Sequence, residues 1–299
     1  MSAPEISFEE CGELSCSRID DDRSALLVAH QGAQVLSYQK AGQPPLIWGN
    51  ERALLGRGNP VRAGVPVCWP WFGNLARNPE AVQAMRVSDA PAPSHGLARV
   101  MKWHLLGADH GGDGVTLQFR LLEADGELAS WPHSADLQVR IVLADDLAIS
   151  LTTRNLGSDS LCISQALHAY FAVSDVRQVS VEELAGLRYI DTLEGWQERR
   201  QVGALQIVGE TDRIYLDTPQ RLSIADPGWD RRILIDTSGS RSTVVWNPWI
   251  DRAAQLPDMA DDGWQGMLCV EPANVLGDAV TLAPGESHTL GLRISSEAL

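Results

Sequence analysis

Short β-prone runs, repeated from end to end with turn residues between them, restrict this chain more than any other feature. SALLVAH (24–30), AQVLSYQK (33–40), ARVMKWHLLG (98–107), VTLQFRLLE (115–123), DLQVRIVLA (136–144) and LAISLTTRN (147–155) are rich in the branched and aromatic residues that suit a pleated surface. HGGDG (110–114), ADD (144–146) and LGSDS (156–160) stand between such runs and supply turn chemistry. The rhythm continues beyond residue 200 with ALQIVGE, RIYLDT, RLSIAD, RRILIDT, STVVWN, GMLCVE and HTLGLRIS. DLQVRIV and RLSIA alternate as half-buried strands do, whereas LCISQALHAYFAV (161–173) is apolar on both faces and reads as a central strand. No stretch carries an amphipathic helix of about twelve residues or more. DMADDGWQG (258–266) reads as a helical turn or an ordered loop. No linker, charge run or repeat divides the chain. The expected architecture is all-β: one large antiparallel sandwich domain over residues 1–299.

Charge and cysteine usage narrow the function. The formal net charge of −15 disfavours nucleic acid and anionic membrane surfaces as partners. An anionic small substrate would have to be met by local positive charge, which makes individual arginines informative. Hydrophobic residues make up 44% and charged residues 21%, the balance of a soluble globular protein. No apolar run is long enough to span a bilayer as a helix. The segment MSAPEISFEECGE is acidic and lacks the basic-then-apolar order of a signal peptide, so a cytoplasmic location is expected. The five cysteines form no CxxC pair, and neither a disulfide framework nor a zinc site is expected.

Four places carry residues that a strand does not need. NPVRAGVPVCWPWFGN (59–74) has a glycine- and proline-fixed backbone with Arg62 near its start and Trp69 and Trp71 further on. PSHGLARVMKWHL places His95 and Arg99 around a glycine just before a strand. MLCVEPANV places Glu271 before Pro272, at what reads as a strand end. His168 lies inside the apolar run LCISQALHAYFAV, where a strand core has no use for a titratable group. Each has a plain structural explanation when taken alone: surface ion pairs for the arginines, a solvated carboxylate, a turn-capping or packed histidine, loop packing for the tryptophans.

In combination, RAGVPVCWPWFG, SHGLAR, the His168 run, VVWNPW and VEPANV occur in the order that resembles the hexose-6-phosphate (glucose-6-phosphate) 1-epimerases of the aldose 1-epimerase, or galactose mutarotase-like, superfamily. The resemblance runs from about Gly32 to Arg293. It implies a large β-supersandwich with a carbohydrate cleft on one face. By the same resemblance His168 and Glu271 match the catalytic histidine and carboxylate, and Arg62 and Arg99 the arginines that hold the sugar phosphate. His95 would lie close to the sugar ring, and Asp191, in LRYIDTL, would bind sugar hydroxyls. The residue before the HG pair is commonly a substrate-contacting Gln in those relatives and is Ser94 here, which leaves the sugar preference open.

The implied chemistry suits these residue types. Exchanging anomers means opening a hemiacetal and closing it on the other face of the carbonyl. That takes one group to remove the O1 proton and one to protonate the ring oxygen. Glu271 as base and His168 as acid would do so without a metal or cofactor, their mutual field favouring both ionised forms. Planar guanidinium groups suit an oxyanion, and Trp69, Trp71, Trp246 and Trp249 offer flat faces to a sugar. WNPW also reads as a rigid strand-end turn, with a cis bond at Pro248. The expected partner is a small sugar phosphate, bound by a monomer. Two other readings remain: an aldose 1-epimerase acting on free sugars, which leaves the arginines unexplained, and a non-catalytic carbohydrate-binding sandwich, which needs no acid and base. A metal-dependent cupin-like site is disfavoured, because the seven histidines show no clustered ligand spacing.

Overall fold

The computed structural model describes residues 5–111, 114–122 and 128–299. Gly112 and Asp113 of the HGGDG turn, Glu123 of VTLQFRLLE and residues 1–4 lie outside that range. Among the described residues every pairing between strands is antiparallel, with one isolated parallel bridge, Trp69 to Gly96. One sheet has nine strands, with residues 221–226, 231–238, 287–298, 147–155 and 135–143 running in spatial succession through its middle. The second has eight, including in order 188–191, 211–216, 242–247, 267–274, 165–167 and 67–68. A meander of four strands spans residues 5–40, and a short pair joins 161–163 to 280–282.

The main core lies where the two large sheets face each other. Leu117, Val139, Ile149, Ile233 and Leu290 of the nine-stranded sheet share one apolar cluster with Tyr215, Val245, Leu268 and Val270 of the eight-stranded one. Strands of the first sheet alternate buried and half-buried positions, as in Leu147–Asn155 and Arg231–Ser238, because their second face meets water. Strand Met267–Asn274 is buried at all eight positions, since its second face forms the floor of a cleft. No helix is long and apolar enough to cross a membrane.

Two local readings are corrected here. The run LCISQALHAYFAV is three short strands, Leu161–Ile163, Gln165–Leu167 and Tyr170–Ala172, with His168 and Ala169 in the gap between the last two. Glu271 lies within its strand, not at the end. The gap in the partner strand follows from Pro272. Ala166 pairs with Ala273 and Tyr170 with Cys269, which is a single register, so its continuation sets His168 opposite Glu271. Pro272 has no N–H to give the ladder there. The Leu167 carbonyl opposite it accepts from Ala169 N–H instead (2.8 Å), while the His168 N–H donates to the Pro66 carbonyl on the other side (2.9 Å). DMADDGWQG contains a 3₁₀ turn at Gly263–Gly266, in line with its reading.

Candidate active site

Register decides which side chains meet the cleft. Across strands 211–216, 242–247 and 267–274, Ile214 pairs with Val244 and Val244 with Glu271, while Asp212 pairs with Trp246 and Trp246 with Cys269. Ile214, Val244, Glu271, Asp212 and Trp246 all line a cleft of about 570 Å³. The intervening residues Arg213, Val245 and Val270 point to the opposite, core side. Asp191 pairs with Arg213 and shares that side. Its Oδ1 accepts from the backbone N–H groups of Leu193 and Glu194 (both 3.2 Å), and its Oδ2 lies 3.5 Å from Arg213 Nε. The aspartate in the cleft is Asp212. Alternation alone does not separate the two, because both sit in strands whose inward face was unknown.

Arg62, Ser94, His95, Arg99, His168 and Glu271 all line this one cleft, brought together from four separate segments. Tight backbone packing explains two of the motifs. Gly64 of RAGVP has φ +69, and a Cβ there would lie 1.9 Å from the Val35 carbonyl oxygen. Gly96 of SHGLAR has φ +74, and a Cβ would lie 2.1 Å from the Trp69 oxygen. Only glycine permits either approach. The second holds the loop that carries His95 and Arg99 against the loop that follows Arg62, through Leu97 N–H and Ala98 N–H donated to Trp69 O (2.8 and 3.1 Å).

His168 Nδ1 approaches Glu271 Oε1 to 3.4 Å without the alignment of a hydrogen bond, and neither carboxyl oxygen of Glu271 has a hydrogen-bond partner among the described residues. The pair is buried, and burial overrides the mutual attraction expected from sequence. Desolvation, with a smaller contribution from Asp212, pushes the Glu271 carboxyl well above the usual range. Desolvation, then Arg99 and Arg62, pulls His168 down to about 3. Burial thus disfavours the charged form of each partner. Tyr170 stacks on the His168 ring (4.8 Å, 10° between planes) and on Trp48 from its other side (5.9 Å, 21°), fixing the imidazole plane. His95 is held by burial well below the ordinary histidine range. Its Nδ1 accepts from Gly73 N–H (3.3 Å), so the neutral ring carries its proton on Nε2.

The arginines are positioned by neighbours that leave donors free. Arg62 donates through Nε to Asp258 Oδ1 (2.9 Å), and Arg99 through Nη2 to the Ser94 carbonyl (2.6 Å). Ser94 thus serves through its backbone as well as sitting on the cleft wall. The four tryptophans divide. Trp246 lines the cleft, whereas Trp69 and Trp71 are core residues whose indole N–H groups donate to Thr153 Oγ1 and Pro93 O. Trp249 packs on Trp264 at 4.5 Å. The one cis peptide bond among the described residues is Trp69–Pro70, not the bond at Pro248. Sequence reasoning also missed Tyr170, two residues beyond His168 in the same apolar run, and Arg77 over the Trp196 ring (5.1 Å) at the cleft wall.

His168, Cys269 and Glu271 bring one potential donor atom each within 4.8 Å of one another.

An antiparallel sandwich with a paired carboxyl and imidazole on the floor of a polar cleft is the frame of a sugar-processing acid–base enzyme. The aldose 1-epimerase family model matches residues 15–295, and the chain belongs to that family of mutarotases, enzymes that interconvert sugar anomers. A protein of Escherichia coli K12 named "Putative glucose-6-phosphate 1-epimerase" is 32% identical over 272 residues, 91% of this chain and 87% of its own. The crystal structure of a "putative mutarotase" from Salmonella typhimurium superposes with a TM-score of 0.88 at 27% identity, covering 98% of this chain and 94% of that one. A galactose mutarotase-like protein from Clostridium acetobutylicum shares the fold, with a TM-score of 0.80 at 15% identity over 99% of each chain.

Proposed function

We propose that this epimerase acts on hexose 6-phosphates, glucose 6-phosphate among them. Glu271 removes the O1 proton, His168 protonates the ring oxygen, and the aldehyde turns about C1–C2 before the two residues exchange roles to close the ring. Asp212, not Asp191, takes the sugar-hydroxyl role, since it is the aspartate on the cleft face. His95 donates from Nε2 to a sugar oxygen, and Trp246 offers a flat surface to the ring. The observation that carries the phosphate reading is the placement of Arg62 and Arg99 on the same cleft as the catalytic pair, in a chain of net charge −15. A neutral sugar leaves Arg99, and the Arg62 donors that Asp258 does not engage, without an anionic ligand.

Anomer exchange by NMR tests the reading, with glucose 6-phosphate against free glucose and galactose and with enzyme-free exchange subtracted. Two arginines on one phosphate favour the phosphorylated sugar by roughly 3–6 kcal/mol, or about 10²–10⁴-fold in kcat/KM. Equal acceleration of glucose and glucose 6-phosphate would refute it and leave an epimerase of free sugars.

A further inference from the structure

A further arginine, Arg252, lines the cleft wall together with Leu256. The helix Trp249–Ala253 runs on through Ala254 N–H to Ile250 O (3.1 Å) and Leu256 N–H to Ala253 O (3.0 Å), so Arg252 and Leu256, four apart, share one face. The base of this helix is rigid. Trp249 has φ +55, a left-handed conformation that a bulky residue keeps only where its surroundings impose it. The buried Asn247 imposes it: its Oδ1 accepts from Trp249 N–H (2.9 Å), and its Nδ2 donates to the Trp264 and Met267 carbonyls (both 2.9 Å). The same segment reaches Arg62. Asp258 accepts from Arg62 Nε (2.9 Å), and Asn50 Nδ2 donates to the carbonyls of both Arg62 (3.0 Å) and Asp258 (2.5 Å). Residues 249–258 therefore hold Arg62 and present Arg252 to one cleft. The Arg252 guanidinium is exposed and donates through Nη1 to Gln255 Oε1 (3.2 Å). In a chain with 39 acidic and 24 basic residues, exposed arginines such as Arg177 and Arg221 close on carboxylates, those of Asp175 and Asp236. Arg252 has no such ion pair among the described residues.

Charge at the phosphate end falls short of what the ligand carries. A sugar phosphate above its second ionisation, near pH 6, bears about two negative charges on three terminal oxygens. Arg62 and Arg99 bring two positive charges, and Asp258 on Arg62 offsets one of them. We propose, resting on the sugar-phosphate reading above, that Arg252 is the third arm of the phosphate site: its guanidinium leaves Gln255 on binding and closes over the phosphate at the cleft rim. The charges then match, two against two. The half-buried Arg62 and Arg99 hold the inner oxygens, and Arg252 covers the one that water would otherwise solvate. The arm makes the site select a dianionic ester over a monoanionic one, which two arginines and one carboxylate do not. Because the phosphate lies away from C1, the arm acts on binding and leaves the ring-opening step alone.

Calorimetric binding of 1,5-anhydroglucitol 6-phosphate, which has no anomeric hydroxyl and cannot open, tests this in wild type, Arg252→Gln, Arg252→Lys and Arg140→Gln, each checked for fold by circular dichroism. Arg140 is an exposed arginine of the nine-stranded sheet that donates to Thr116 Oγ1, so its variant removes the same charge elsewhere. Arg252→Gln should weaken binding by about 5–20-fold, between the effect of an exposed ion pair and that of a charged hydrogen bond. Arg252→Lys should recover most of the loss, and Arg140→Gln should stay within about twofold of wild type. With 1,5-anhydroglucitol 6-sulfate, a monoanion, the loss in Arg252→Gln should shrink to about 2–3-fold. In anomer exchange of glucose 6-phosphate, Arg252→Gln should raise KM and leave kcat unchanged. The third arm is refuted if Arg252→Gln binds the phosphate as wild type does, or if Arg140→Gln loses as much. Equal losses for phosphate and sulfate, or a lower kcat at constant KM, would also refute it. Wild-type protein that binds 1,5-anhydroglucitol as tightly as its 6-phosphate would sink the substrate reading itself. If wild type prefers the phosphate and Arg252→Gln keeps that preference in full, only the third arm falls.

Discussion

Two buried ionisable pairs in this protein have opposite surroundings. Arg231 and Asp226, with Nε to Oδ2 at 3.4 Å, are saturated: Arg231 also donates to the carbonyls of Pro44, Pro45 and Ala172, and Asp226 accepts from Ser174 N–H and Ser174 Oγ. His168 and Glu271 meet at the same 3.4 Å, yet His168 Nδ1 and both Glu271 oxygens lack a hydrogen-bond partner among the described residues. The first pair ties the Pro44–Pro45 segment and the Ala172 strand to the sheet. The second carries an uncompensated burial that folding alone would not favour, and on the mechanism proposed above its free lone pairs and ring nitrogen are the groups that meet the substrate.

The contrast can be broken first through turnover. His168→Ala and Glu271→Gln should each lower anomer exchange by about 10²–10⁴-fold, with the fold retained by circular dichroism. The double variant should lose little more than the worse single one, since the two act as a unit. Near-normal exchange in folded His168→Ala would remove that residue from the chemistry.

Removing one partner of the saturated pair should do the reverse. Arg231→Met leaves Asp226 buried without its cation and should cost about 3–5 kcal/mol in chemical denaturation, with kcat little changed in the protein that remains folded. Glu271→Gln should instead stabilise, by about 1–2 kcal/mol at neutral pH. The sign follows from linkage. The folded pKa of Glu271 lies above its unfolded value of 4.5, so folding has to suppress its ionisation increasingly as pH rises above that value. The variant's advantage should vanish below about pH 4 and grow toward pH 8. His168 works in the other direction: its folded pKa of about 3 lies below 6.5, so stability it contributes above pH 6.5 is lost as pH falls toward 3. A Glu271→Gln advantage that is constant with pH would show that the carboxyl is not desolvated.

The two aspartates of the eight-stranded sheet sharpen the comparison at smaller scale. Asp212→Asn should lower kcat/KM for glucose 6-phosphate by roughly 10-fold or more with stability held. Asp191→Asn should cost about 1–3 kcal/mol of stability with kcat/KM held. Incubation with a chelator should produce the smallest effect of all, an unchanged rate. Activity lost to chelation and restored by a divalent ion would contradict the two-residue mechanism.

Much of the molecule was legible before folding. Strand rhythm, turn residues and the lack of amphipathic helices point to an antiparallel sandwich, because those signals are local and their period is set by backbone geometry. Motif order, read as a family resemblance, named Arg62, Ser94, His95, Arg99, His168 and Glu271, and all six line one cleft. What the linear chain left undecided depends on register and burial, both of which are set between segments. A shift of one position separates Asp191 from the cleft that Asp212 faces, and no single strand records which of its faces is inward. Pro272 reads as a strand terminator until its neighbours' pairing shows a ladder resuming beyond it, with His168 opposite Glu271. The charge state of that pair was expected from mutual attraction and is governed by desolvation instead, a quantity that exists only once the surrounding strands have excluded water.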